Sequence, residues 1–183
     1  MYVINLFGVP GVGKSTGAAY IFSKLKMQDI NAELVTEFAK NIIWENNLAT
    51  LEDYAYIFGV QSRRISRCQN KVDVVITDAP LFCTVFYNQN SAFGEQFNKV
   101  VVSVFNSYNN INYFVDQERN YNSIGRLQTE KQARAMKKPM LNMLKKYNIN
   151  FEIIDGDTQC YDLIVKKVIK KLEAQKLSLK CIT

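Results

Sequence analysis

Residues 8 to 15, Gly8-Val9-Pro10-Gly11-Val12-Gly13-Lys14-Ser15, fit the spacing G-x-x-x-x-G-K-[ST], and Thr16 follows. Residues of these types in this order build a cradle for phosphate. The glycines let the chain turn tightly with no side chain in the way, so the loop amides converge on an anion. A helix opening at the end of the loop adds its positive pole. Lys14 then reaches the β- and γ-phosphates, the Ser15 hydroxyl binds Mg²⁺, and Thr16 hydrogen-bonds the α-phosphate. A dinucleotide fingerprint is not met, because the spacing after Gly11-Val12-Gly13 puts Thr16 where that pattern has glycine. The expected ligand is a nucleoside triphosphate, held by Gly8, Gly11, Val12, Gly13, Lys14, Ser15 and Thr16.

A cradle of this kind works only between a strand and a helix, and both are legible. An apolar run over 2–7 reads as a strand and an amphipathic pattern over 14–27 as a helix. Further strands are expected at 32–36, 72–77, 111–115 and 150–154, with helices at 37–46, 51–69, 92–108, 129–147 and 160–175. Strands alternating with helices imply a parallel sheet covered on both faces, and nearly continuous apolar strands agree with that burial. The polar segments 86–94 and 117–128 read as mobile, and the last eight residues are expected to fray. No internal repeat or Gly/Ser linker divides the chain, so 1–183 reads as one domain with a lid at about 117–128.

In an open parallel sheet ligands gather at the carboxyl ends of the strands, and other reactive side chains fall there. Asp78 ends the third strand, where a second Mg²⁺ carboxylate is needed beside Ser15. Glu37 ends the second strand, at the opening of a helix. A carboxylate there accepts a proton from an attacking hydroxyl or holds a substrate group. On the 51–69 helix Phe58 and Gln61 share one stripe. Gln61 is the one amide within it and must find partners, for which a base edge or a backbone carbonyl would serve. Arg64 lies one turn on. Phe58, Gln61, Arg64 and Glu37 are therefore the substrate-binding candidates. Arg119 and Arg126 lie in the polar lid, as phosphoryl transfer requires of a loop that closes and neutralises charge. Thr129 with Gln132 makes a capping box for the helix that follows. Asp157, in the turn after the fifth strand, fits a turn wrapping an adenine and equally fits plain turn chemistry. The catalytic candidates are Lys14, Glu37, Asp78, Arg119 and Arg126.

Composition narrows the chemistry further. There is no histidine, which excludes every histidine-dependent triad and any histidine base. The four cysteines are scattered without a C-x-x-C pair, so zinc is not expected and free thiols in a reducing cytoplasm are. No apolar run is long enough to span a bilayer, and no basic leader precedes the first strand. The net charge of +6 is uneven: residues 131–183 carry 12 basic and 5 acidic side chains, or +7, against −1 for residues 1–130. Such a bias suits nucleic acid. Lys166, Lys167, Lys170 and Lys171, however, lie opposite an apolar stripe and read equally as a solvated helix face.

Taken in order, G-V-P-G-V-G-K-S-T, V-T-E-F-A-K, Q-S-R-R, V-V-I-T-D-A-P and R-N-Y-N-S-I-G-R-L-Q-T-E-K-Q-A resemble the NadR-like family of AAA/P-loop kinases, which includes the ribosylnicotinamide kinase domain and many phage proteins. The resemblance runs from Met1 to about Asp157. It implies a P-loop NTPase three-layer α/β sandwich of the nucleoside/nucleotide kinase type, a five-stranded parallel sheet in the order 2-3-1-4-5. It places Glu37, Asp78, Arg119 and Arg126 at the family's motif positions, with ATP and Mg²⁺ as cofactors. Phage relatives and the abundance of Asn, Lys and Tyr fit a phage protein working in the host cytoplasm.

Three functions remain open on the residues. One is transfer of the γ-phosphoryl of ATP to a nucleoside, nucleotide or related riboside. Another is phosphorylation of DNA, at a hydroxymethylated base or an end, with the basic C-terminal third tracking the backbone. The third is a nucleotide-binding switch. No guanine-reading N-K-x-D occurs, which favours ATP over GTP.

Overall fold

The computed structural model describes residues 1–88, 94–117 and 120–180. Five parallel strands form one sheet: β1 (Tyr2–Phe7), β2 (Ala32–Val35), β3 (Val74–Thr77), β4 (Asn109–Val115) and β5 (Glu152–Ile154), in the order β2-β3-β1-β4-β5. This is the order the resemblance implies. The registers Ile4↔Ile76, Ile4↔Ile111 and Leu34↔Ile76 bring the carboxyl ends of β1, β2 and β3 to one edge.

Helices cover both faces because the strands are apolar on both. In β1, Val3 and Phe7 point to one side and Ile4 and Leu6 to the other, the period-two alternation of a pleated strand. The first side packs on α3 (Tyr54–Ser66), α4 (Cys83–Tyr87), α5 (Gly94–Asn106) and α7 (Lys137–Lys146), through Ile65, Val85, Phe105 and Leu144. The second packs on α1 (Lys14–Lys26) and α8 (Thr158–Lys180), through Ile21, Leu25, Ile164 and Val168. Asn5 interrupts the first side, yet it is 1% exposed and fully used. Its amide donates to the Asn110 and Asn112 side chains at 2.8 and 2.9 Å, and Asn110 in turn donates to the Phe105 carbonyl at the end of α5. A buried polar group is tolerated when its partners are supplied in this way.

Several boundaries differ from the periodicity, each for a local reason. The pattern over 51–69 is a 3₁₀ turn, Leu48–Glu52, followed by α3, because the Asp53 carboxylate accepts from the Tyr56 N–H at 2.9 Å and starts a new helix. The pattern over 129–147 divides into α6 (Glu130–Ala135) and α7. Pro139 has no N–H to give the Ala135 carbonyl, so the ladder breaks one turn before it. The capping box of α6 is present, with Thr129 and Gln132 bonded in both directions. The second helix, α2, spans only Ala39–Trp44, which leaves Glu37 in the turn before it. Helix α4 is too short to carry a period. Of the last eight residues, expected to fray, 176–180 continue the C-terminal helix α8 and 181–183 lie outside the described residues. Of the segment expected to be mobile at 86–94, residues 89–93 lie outside the described residues.

Candidate active site

The glycine-rich loop leaves β1 at the carboxyl edge and runs into α1, with Gly13 in the left-handed region at φ 92° as the residue before the helix. The Lys14 ammonium donates to the Gly8 and Val9 carbonyls at 2.8 and 3.0 Å. The side chain thus curls over its own loop, where a phosphate would sit. Burial lowers its pKa from the ordinary lysine value, opposed chiefly by the Glu37 carboxylate. A charge held this way is poorly solvated and gains most when an anion arrives. Gly8, Gly11, Gly13, Lys14, Ser15 and Thr16 all line one cleft of about 890 Å³. Val12 does not line it; its side chain is buried beneath the loop, so its offering is the backbone amide.

The two strand-end carboxylates meet in this cleft. Asp78, 6% exposed, accepts the Glu37 backbone N–H at 3.1 Å, which ties the end of β3 to the end of β2. Burial raises the Glu37 pKa from the usual carboxylate value; Lys14, Lys40 and Arg126 pull it back down and Asp78 pushes it up. Cys83, on α4, faces the same charges, and burial pushes its thiol up to about 12. It stays a thiol at neutral pH.

The mouth is framed by the lid. Tyr121 lies against Gly11, where a Cβ would come within 2.8 Å of its ring. Its hydroxyl donates to the Gln128 carbonyl at 2.5 Å, closing the segment on itself. The Arg126 guanidinium stacks over the Tyr121 ring at 5.5 Å and donates to the Asn122 carbonyl. Gly125 rests on the Trp44 ring and the Lys40 stem. Residues 120–128 of the segment expected to act as a lid therefore span from the phosphate loop to α2, with Arg126 lining the cleft.

The structure gathers Lys14, Ser15, Thr16, Glu37, Asp78 and Arg126 on one cleft. Arg119 lies outside the described residues. The other candidates are placed differently. Gln61 lines the cleft but spends its amide on backbone: it accepts from the Phe38 N–H at 3.0 Å and donates to the Thr36 and Ala79 carbonyls at 3.3 and 3.4 Å. Its work is to hold the ends of β2 and β3. Phe58 packs edge-on against Phe97 within the core, and not in the cleft. Arg64 donates to the Thr36 carbonyl and stacks on Phe38 at 4.9 Å, away from the cleft lining. Asp157 caps α8, accepting the Cys160 N–H at 2.7 Å, and these backbone bonds hold its pKa low. Lys40 and Tyr87 line the cleft and Tyr121 lies against Gly11 of the phosphate loop without having been singled out. Lys40 lies one helical turn from Glu37, and that spacing was a usable signal. Tyr87 and Tyr121 are brought in by a one-turn helix and a lid, which leave no periodic mark.

A hydroxyl and a carboxylate, Ser15 and Asp78, are the oxygen donors beside the loop. Among the described residues no group of three or more Asp, Glu, Cys or His side chains could hold a metal alone. That donor set fits Mg²⁺, which keeps waters and takes phosphate oxygens, and needs few protein ligands.

A sequence profile of the family described as an AAA domain matches residues 3–159. No curated protein matches the sequence. Among solved structures, a thymidylate kinase from Ehrlichia chaffeensis superposes with a TM-score of 0.57 at 16% identity, over 93% of this chain and 98% of its own. A deoxyadenosine kinase from M. mycoides with bound dATP superposes with a TM-score of 0.56 at 19% identity, over 90% of this chain and 98% of its own. At such identities the likeness is one of fold. The chain belongs to the AAA-domain family.

Proposed function

We propose that this member of the AAA-domain family is a one-domain kinase that moves the γ-phosphoryl group of ATP to a small nucleoside- or nucleotide-class acceptor. The observation that carries the reading is the convergence of Lys14, Glu37, Asp78 and Arg126 on a single cleft of about 890 Å³. A nucleotide switch has no use for a buried carboxylate at the point of attack. The fold likeness to two nucleoside and nucleotide kinases, and the NadR-like motifs E-F-A-K, T-D-A-P and G-R-L-Q-T-E, support the same class and keep ribosides among the acceptors.

The loop amides and Lys14 hold the triphosphate, and Arg126 neutralises charge on the phosphoryl in flight. Ser15 and Asp78 would hold Mg²⁺, which would supply charge neutralisation on the triphosphate when bound. When the acceptor is a hydroxyl, its oxygen forms the new bond to the γ-phosphorus while the bond to the bridging oxygen breaks. The hydroxyl proton passes to Glu37, and ADP leaves. The Glu37 backbone N–H donates to the Asp78 carboxylate, which holds the backbone of the proposed base beside the proposed metal carboxylate. The test is ADP release from ATP·Mg²⁺ across nucleosides, nucleoside monophosphates, nicotinamide riboside and DNA with and without hydroxymethylated bases. Stimulation by a small acceptor, lost in Lys14→Ala, supports the reading. Full activity in Lys14→Ala would remove the phosphate loop from the mechanism.

A further inference from the structure

We infer that the acceptor is an unphosphorylated, hydroxyl-bearing molecule of the nucleoside class, and not a nucleoside monophosphate; this rests on the kinase reading above. The warrant is the charge of the walls between which the acceptor must lie. The walls are built from the turn before α2, the 3₁₀ turn, α3 and α4. They present Phe38, Leu51, Tyr54, Ile57, Thr84 and Tyr87 to the cleft. These are apolar and phenolic surfaces suited to a flat ring and a sugar.

With Asp78 assigned to Mg²⁺, the charged side chains left on these walls and the adjoining strand end are Glu37 and Glu52 against Lys40, among the described residues. Lys14 is committed to the phosphate loop and Arg126 to the lid. Arg64, on α3, stacks on Phe38 and donates to the Thr36 carbonyl, and it does not line the cleft. Lys40 lies beneath Gly125 of the lid, with its charge directed on Glu37. A phosphate dianion entering here would face Glu37 and Glu52 with one cation, Lys40, already shared with Glu37. A neutral hydroxyl meets no such penalty.

The same carboxylate gives the inference its second support. The oxygen of a phosphate acceptor is already anionic and needs no base. A hydroxyl does, and Glu37 stands at the strand end where its proton must go. A buried carboxylate is useful to a hydroxyl acceptor and repels a phosphate one.

The experiment measures ADP release at saturating ATP·Mg²⁺ for matched pairs: ribo- and deoxyribonucleosides and nicotinamide riboside, each beside its own 5′-monophosphate, with the product identified by mass. The expected result is one or more unphosphorylated acceptors with kcat/KM at least about 100-fold above the matching monophosphate, as like-charge juxtaposition dictates. With that acceptor, Glu37→Gln should lower kcat by about 100-fold or more while ATP still binds. A monophosphate used as well as its nucleoside, or better, would overturn the inference and leave the kinase reading intact. ATP binding with no transfer to either member of any pair would overturn both.

Discussion

The balance of charge around Glu37 decides whether it can act as a base near neutral pH. Burial lifts its pKa, with Asp78 adding to the lift and Lys14, Lys40 and Arg126 opposing it. A base must be ionised, so kcat should rise with pH through this titration, centred above the ordinary carboxylate range. Glu37→Gln should remove that limb and lower kcat by about 10²- to 10⁴-fold. The stability effect has the opposite sense. A carboxyl whose pKa is raised on folding stabilises the fold below its unfolded pKa, and that contribution is lost as pH rises through the folded value. Above the folded value the ionised Glu37 is a cost to the unliganded fold, so Glu37→Gln should there melt at the same temperature or higher. A lower melting temperature would mean that the side chain props up the strand end. Glu37 and Asp78 were legible in the sequence because the end of a parallel strand is a fixed address. Gln61, Phe58 and Arg64 were not, because a helical stripe says which residues share a face and not what that face meets.

Two elements carry the site, and each can be perturbed alone. Helix α1 must lie close against α8 to aim its first turn at the phosphates. Gly17 permits this: a Cβ there would sit 2.3 Å from Cζ of the buried Tyr161 ring. Gly17→Ala gains about 1 kcal/mol in helix preference but overpacks a close contact at about 1–3 kcal/mol. The clash with a buried ring wins, and the denaturant midpoint should fall. The lid is the other element. Tyr121 is the pad on which Arg126 stacks, so Tyr121→Leu should lower kcat more than it raises the KM for ATP, with Tyr121→Phe restoring most of the rate. The chain's single tryptophan, Trp44, lies under Gly125. Its emission should therefore change when ATP·Mg²⁺ binds, and no change would separate the lid from nucleotide binding. Element type was legible wherever a period ran long enough, as in α1, α5 and α8. The division at Pro139 and the restart at Asp53 turn on single residues inside one continuous pattern, and periodicity averages over those.

At the scale of the whole molecule, five strand segments could be read from their apolar runs, but their lateral order could not. Short apolar strands such as β1 and β3 would fit several neighbours, so the order 2-3-1-4-5 rested on the motif resemblance until the registers fixed it. The uneven charge is a property of the same scale, and its position argues about the acceptor. Tyr161 marks the end of α8 nearest the phosphate loop, since it packs on Gly17. Lys166 to Lys171 follow five to ten residues later, about 8–15 Å down the helix. They are exposed, opposite the buried Ile164, Val165 and Val168, and Lys167 pairs with Glu152 at 2.5 Å. A nucleic-acid acceptor tracked by these lysines would bind with a salt slope of about −0.9 for each phosphate neutralised. A small acceptor held by the apolar walls of the cleft would not feel them. Replacing Lys166, Lys170 and Lys171 together by Gln should therefore leave kcat/KM for the small acceptor unchanged, at low salt and at high. Surface substitutions of this kind alter stability little, so the comparison is clean. A fall in kcat/KM at low salt that vanishes at high salt would place the acceptor's phosphates along α8, and the basic third of the chain would then belong to the site.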